Sequence, residues 1–276
     1  MLDALSGSRV YVVVGMHRSG TRLVADILAS LGIFMGSDRQ GDSESITFIE
    51  LNEAIFHQCG TFWTEPLPVH VALGDPSHVD EIAAAVRREL GKRLGRYLGA
   101  AGPGDIQRIG WKDPRNTFTL PVWERVFPEL KVIHVLRHGV DAAASLARRQ
   151  RRMCTEATGA RVPSSLAVFR EHSLGVLSSR RGWTVHEAFA LWEQYVEKAR
   201  LEGARLGERA LEVRFEDLLE RPDEVIDAIA RFCETEPKRQ CASVDPARAY
   251  AFRRDPALAA FAGGVGEILA LYGYSP

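Results

Sequence analysis

A β-branched run, Val10-Tyr11-Val12-Val13-Val14, ends at a glycine and passes into a helical repeat. Unbroken apolar character over 9–14 predicts a strand buried on both faces. Leu23, Val24, Ile27, Leu28 and Leu31 then recur at helical spacing, which predicts a helix from about Gly20 to Leu31. Similar signals return downstream. Helical periodicity predicts segments at 45–59, 78–99, 140–150, 184–206 and 222–233. Short apolar runs predict strands at 106–111, 131–136 and 210–215. Strands alternating with helices predict an α/β fold, a three-layer sandwich with a mostly parallel central sheet. Residues 150–182 have weak periodicity and many Arg and Ser, and read as an irregular insertion. No repeat or low-complexity linker divides the chain, so the expectation is one domain over 1–276, with 150–182 as a substrate-side lid.

Composition narrows the setting. Apolar residues make up 46%, enough for a full core, and 35 Lys and Arg face 36 Asp and Glu. A net charge of −1 does not call for nucleic acid, so basic residues must act locally. No apolar run is long enough to span a membrane, and the N-terminal residues lack a secretory pattern. The four cysteines are scattered without metal-ligand spacing, and reduced thiols in a cytoplasmic protein are the expectation.

The chemistry begins between the first strand and its helix, in Gly15-Met-His17-Arg18-Ser19-Gly20-Thr21-Arg22. A small loop between a strand and a helix N-terminus directs backbone N–H groups at an anion. The pattern departs from the loop of kinases and ATPases. Gly15 and Gly20 have the required spacing, but Thr21 stands where the phosphate-reaching lysine belongs. Arg22 stands where a magnesium-binding hydroxyl belongs, and the cation comes early, as Arg18. An arginine fork can grip two oxygens of a phosphate or sulfonate. The reading is a phosphate loop with no metal requirement. Two further motifs fall at predicted strand ends, where ligands bind in open parallel sheets. They are Gly110-Trp-Lys112-Asp113-Pro114-Arg115 and Arg137-His-Gly139-Val-Asp141-Ala-Ala-Ala-Ser145.

Together these segments resemble the sulfotransferases that use 3′-phosphoadenosine 5′-phosphosulfate, bacterial members in particular. The resemblance implies a P-loop-type nucleotide-binding fold, with His17, Arg18, Ser19, Gly20, Thr21 and Arg22 around the phosphosulfate. It also implies Arg137 and Ser145, eight residues apart, on the 3′-phosphate. Phe215-Glu-Asp-Leu-Leu followed by Arg-Pro is a further, weaker similarity. Gly139 departs from a frequent proline, and Arg22 from a frequent hydroxyl. The C-terminal Arg-Lys-Gly segment of cytosolic members is absent, with Arg253-Arg254 as the candidate replacement and a solvated surface pair as the plain reading. The usual histidine base falls near Pro114 and is missing. Thr21-Arg22 followed by Asp26 is similar to the heparan sulfate enzymes, which implies a carboxylate base at Asp26 and a later-strand lysine at Lys112.

The catalytic expectation is therefore Asp26, Lys112 and Arg18. The expected reaction is in-line transfer of a sulfuryl group to a hydroxyl, carbohydrate or small molecule, leaving adenosine 3′,5′-bisphosphate. Asp113 and Glu50 are rival bases. Arg22 and Asp26, at i and i+4, also suit a simple helix ion pair. Arg148, Arg149, Arg151 and Arg152 read mainly as a solvated face, and His17, His134 and His138 as packing histidines that could shuttle protons. Trp63 and Trp183 suit stacking on an acceptor or plain packing. A kinase-like phosphotransferase and a non-catalytic nucleotide-binding protein are the alternatives.

Overall fold

The structure is a computed structural model that describes residues 5, 7–101, 106–159, 181–238 and 245–276, with backbone alone for 154–159. Four strands form one sheet in the order β2-β1-β3-β4: β1 (Arg9–Val14), β2 (Arg108–Lys112), β3 (Lys131–Leu136) and β4 (Ala210–Arg214). All three pairings are parallel, with Val13 opposite Lys112 and Ile133, and His134 opposite Glu212. The central strand explains its own sequence. Val10, Val12 and Val14 face one apolar cluster while Tyr11 and Val13 face the other. A strand with two buried faces has no polar side, hence the unbroken apolar run.

One face is covered by α1 (Thr21–Ser30) and, later in the chain, α9 (Pro222–Cys233). The other is covered by α2 (Ile46–Gln58), α4 (Pro76–Leu98), α5 (Asn116–Val126), α6 (Gly139–Gly159) and α7 (Val185–Leu206). Short helices α3 (Leu67–Ala72), α8 (Phe215–Glu220), α10 (Pro256–Gly264) and α11 (Gly266–Leu271) complete the described α-helices. The three-layer α/β architecture is the expected one.

The differences have local causes. Helix α6 runs on to Gly159, past its expected end at Gln150, while 160–180, most of the expected insertion, lies outside the described residues. Helix α5 was not visible in the pattern because polar and apolar side chains share its buried surface: Asn116, Thr117 and Thr119 are buried beside Phe118, Leu120, Val122 and Trp123, and Pro121 lies within it. The polar residues among them join a hydrogen-bond network centred on the buried Asn52 of α2. Asn52 Nδ2 donates to Asp113 Oδ2 (2.9 Å) and Asn116 Oδ1 (2.8 Å). Its Oδ1 accepts from Thr119 Oγ1 (2.7 Å) and Trp123 Nε1 (2.9 Å). Asn116 Nδ2 reaches the Val13 carbonyl, and the Gly15 N–H donates to Thr117 Oγ1. The network holds the ends of β1 and β2 in place, and both motifs start there. Of the four thiols, Cys59 and Cys233 are free, and Cys154 and Cys241 lie outside the described side chains. No described helix is long and apolar enough to cross a membrane.

Candidate active site

The loop after β1 is shaped by backbone strain and one aromatic ring. Gly20 is the N-cap of α1 at φ 94°, and a Cβ there would collide with the Phe215 ring. Only glycine meets both demands. Arg18 also lies in the left-handed region, at φ 72°, where a side chain costs energy and the surroundings must hold it. The holding contact is visible: buried Arg137 donates from Nη1 to the Arg18 carbonyl at 3.0 Å. Arg18 Nε in turn donates to Ser145 Oγ at 3.1 Å. Phe215 supports the arrangement, with the Arg137 guanidinium 4.7 Å and Arg248 5.5 Å from its ring centre. Phe215 thus packs at the loop itself.

A cavity of about 490 Å³ opens over this loop. His17, Arg18, Gly20, Thr21, Arg22, Asp26 and Lys112 line it, with Asp42, Glu44, Arg149 and Arg248. Helix α1 begins here with neither a side-chain cap nor an acidic residue in its first turn, so its positive end faces the cavity unshielded. Ser19 Oγ, His17 Nε2 and Arg137 Nε are buried without a hydrogen-bond partner among the described residues. A buried hydroxyl and guanidinium N–H left unsatisfied are donors suited to an anionic ligand. Arg137 and Ser145 stand behind Arg18 and do not themselves border the cavity.

Lys112 and Asp26 both border the cavity, in different settings. Lys112 is buried and its Nζ lies 2.7 Å from Glu44 Oε1. Its ion-pair partner is Glu44 and not the adjacent Asp113. Burial raises the Glu44 pKa, and Lys112 only partly offsets that. Asp26 accepts a hydrogen bond from Ser43 Oγ at 2.7 Å, and its other oxygen faces Arg22 Nε at 3.6 Å. The two rival bases have other work. Asp113 is fully buried between Asn52 and the N–H groups of Arg115. Glu50 pairs with Arg93 and Arg96.

His17 rests on Trp63, ring centres 4.2 Å apart. Burial, reinforced by Arg115, Arg149, Lys112 and Arg18, pushes its pKa well below the usual value, so the ring is neutral near pH 7. His134 and His138 stand elsewhere. His134 Nδ1 contacts Glu212 across the sheet, and His138 stacks on Phe252, its pKa lowered to about 4 by burial.

Three cavity residues, Asp42, Glu44 and Arg248, were not singled out from the sequence, and Arg149 was named mainly as solvated. Asp42 and Glu44 sit in a polar loop that resembles any exposed turn. Arg149 belongs to a basic run expected to be solvated. Arg248 is far along the chain, and it lines the cavity where Arg253 and Arg254 do not. Arg253 instead stacks on Tyr250 and Arg254 holds the Ala247 carbonyl. The segment carrying Arg248 is docked by Asp141, which accepts from the Ala251 and Phe252 N–H groups at 3.0 and 2.8 Å.

A parallel sheet with an anion-suited loop at the end of its central strand defines an α/β protein of P-loop-type architecture. Within that class, the sequence profile of the sulfotransferase family matches residues 11–238, and the chain belongs to that family. Among solved structures, the sulfotransferase domain of the Synechococcus PCC 7002 olefin synthase is similar at 17% identity. The match covers 98% of this chain and 95% of that one, with a TM-score of 0.55. A sulfotransferase from Alicyclobacillus acidocaldarius is similar at 14% identity over 94% of this chain and 95% of its own, with a TM-score of 0.50. None of the curated proteins matches the chain.

Proposed function

We propose that the protein transfers a sulfuryl group from 3′-phosphoadenosine 5′-phosphosulfate to an acceptor hydroxyl. The observation that carries this reading is the chain of contacts from Ser145 to Arg18 to Arg137. It joins the phosphosulfate loop and the pair assigned to the 3′-phosphate in one unit. Family membership supports the activity, and the donor identity rests on these residues.

The acceptor oxygen forms its bond to sulfur as the bond from sulfur to the bridging phosphate oxygen breaks. The electron pair of that bond stays on the departing 5′-phosphate. Arg18, Lys112 and the N–H groups at the start of α1 stabilise the developing charge. Lys112 is held in reserve by Glu44 until the donor's oxygens compete for it. The acceptor's hydroxyl proton passes to a base and then to solvent. Asp26 is the base in this scheme, aimed by Ser43 and Arg22. One observation favours a second reading, with His17 as base: its neutral ring carries the partnerless Nε2, and it also borders a second cavity, of about 240 Å³ and lined by Trp63, Phe62 and Phe56, which Asp26 does not.

Thermal shift tests the donor. Adenosine 3′,5′-bisphosphate stabilises the protein more than ATP with magnesium does; the reverse order overturns the reading. Arg137→Ala loses far more of the bisphosphate shift than of the adenosine 5′-phosphate shift. Asp26→Asn lowers kcat by about 10²–10⁴-fold with the bisphosphate shift retained. Near-normal kcat in that variant, with the loss appearing in His17→Asn, transfers the role to His17.

A further inference from the structure

A cleft of about 340 Å³ opens between α3, α5 and α7. It shares no lining residue with the two cavities at the loop after β1. Its size is that of a small-molecule site. Phe118 of α5 supplies a buried wall, its ring packed edge-on to Tyr195 with centres 4.9 Å apart. Leu67 of α3 and Leu201 of α7 also line the cleft, and they are 63% and 58% exposed. Apolar side chains held open around a cleft leave surface for a ligand to cover.

The polar residues of the cleft select that ligand. Lys198 is already taken: its Nζ lies 2.6 Å from Glu202 Oε1, and both side chains are largely buried. Burial and the Lys198 charge lower the His70 pKa, so that ring is neutral near pH 7. Glu197 makes no hydrogen bond or ion pair among the described residues. Burial and the Glu197 charge raise the pKa of Glu193, so this stretch of α7 already resists further negative charge. Gln194 Oε1 is buried and has no hydrogen-bond partner among the described residues. Gln194 and Glu197 are three apart on α7, which puts them on one face of the helix. An orphaned acceptor and an uncompensated carboxylate thus stand together beside apolar walls. A carboxylate or sulfate ligand meets the Glu197 charge and finds Lys198 neutralised. A ligand without N–H or O–H groups leaves Oε1 unsatisfied. An ammonium supplies the donors and the opposite charge together.

We propose that this cleft is a second ligand site, for a primary amine carried on an apolar body. The body lies on Phe118 between Leu67 and Leu201, and the ammonium sits between Gln194 Oε1 and the Glu197 carboxylate. Such a ligand leaves the Lys198–Glu202 pair intact. The site does not depend on the donor reading above.

Titration calorimetry on the full chain tests it with three probes that share one body: 4-phenylbutylamine, 4-phenylbutanol and 4-phenylbutyrate. The amine is expected to saturate one site, about ten-fold or more tighter than the carboxylate, with the alcohol between them. Glu197→Gln weakens the amine about three- to five-fold, the effect of one partly exposed ion pair, and leaves the alcohol unchanged. Leu201→Ser weakens amine and alcohol alike. Both positions are exposed, so Tm of the unliganded variants matches wild type. Saturating adenosine 3′,5′-bisphosphate leaves amine binding unchanged. No saturable amine binding, equal or tighter binding of the carboxylate, displacement of the amine by the bisphosphate, or wild-type amine affinity in either variant overturns the assignment. A wild-type dimer that Leu201→Ser dissociates, read by sedimentation, gives the cleft to a second copy of the chain instead. A chain that binds the amine as expected and not the bisphosphate removes the donor reading and leaves this site in place.

Discussion

At the scale of single residues, the site depends on two strained positions and a set of buried charges. Gly20 is the sharper case, because its left-handed backbone and the Phe215 ring leave no room for a Cβ. Gly20→Ala is expected to cost roughly 1–3 kcal/mol from the forced contact alone. It should also displace Phe215 and, with it, Arg137 and Arg248. Denaturant unfolding reads the first effect and loss of the bisphosphate thermal shift reads the second; unaltered values for both would remove Gly20 from the explanation. Gly139 has a similar reason for being small, since a Cβ there meets the Phe189 and Trp192 rings at 2.6 and 2.8 Å. Arg18 and Lys112, singled out from the sequence, do border the cavity, while Arg137 and Ser145, implied by the resemblance, stand behind Arg18. Glu44, Asp42 and Arg248 were not singled out. Whether an acid or an arginine faces solvent or a cavity depends on which distant element packs over it, and no local pattern encodes that.

At the scale of elements, Asn52 ties α2 to α5 and to the end of β2. All four of its side-chain hydrogen-bonding positions are used, by Asp113, Asn116, Thr119 and Trp123. Asn52→Ala strands several buried polar groups at once, and the expected loss is about 3 kcal/mol or more. Asp113 and Arg115 would then lose their fixed place, so the Lys112 motif should loosen as well. Urea unfolding checks the stability. An Asn52→Ala protein as stable as the wild type would mean that the network is dispensable. The same network explains the limits of reading elements from periodicity. Helices with an apolar stripe, such as α1, α7 and α9, emerge within a residue or two of their expected bounds. Helix α5 escapes because it buries polar side chains among apolar ones, and most of their partners lie on α2, β1, β2 and the loop after β1.

At the scale of the whole molecule, the sheet edge carries a charge coupling that makes stability depend on pH. Glu212 on β4 lies opposite His134 on β3 and also binds Arg200 of α7. Burial raises the Glu212 pKa, but the hydrogen bonds from His134 and Arg200 outweigh it and hold the carboxyl at about 2. A native pKa below the unfolded one means that the carboxylate stabilises the fold above the ordinary carboxylate range. That contribution fades as pH falls from about 4.3 through about 2. Glu212→Gln should therefore lower Tm at neutral pH, and the gap from wild type should close across that acidic window. A gap independent of pH would indicate lost packing instead of lost charge. The fold class, the parallel sheet and the glycine-bounded loop after β1 were determined by the sequence alone. Each follows from local rules: two-sided burial of a β-branched strand, strand–helix alternation, and a glycine-bounded loop carrying an early cation. The separation of a cavity over the loop after β1 from one lined by Trp63, Phe62 and Phe56 was decided only by the tertiary structure. So were the pairing of Lys112 with Glu44 and the docking of Arg248 beside Phe215. These depend on contacts between segments far apart in the chain, and a charge or a ring has no role until packing sets what stands opposite it.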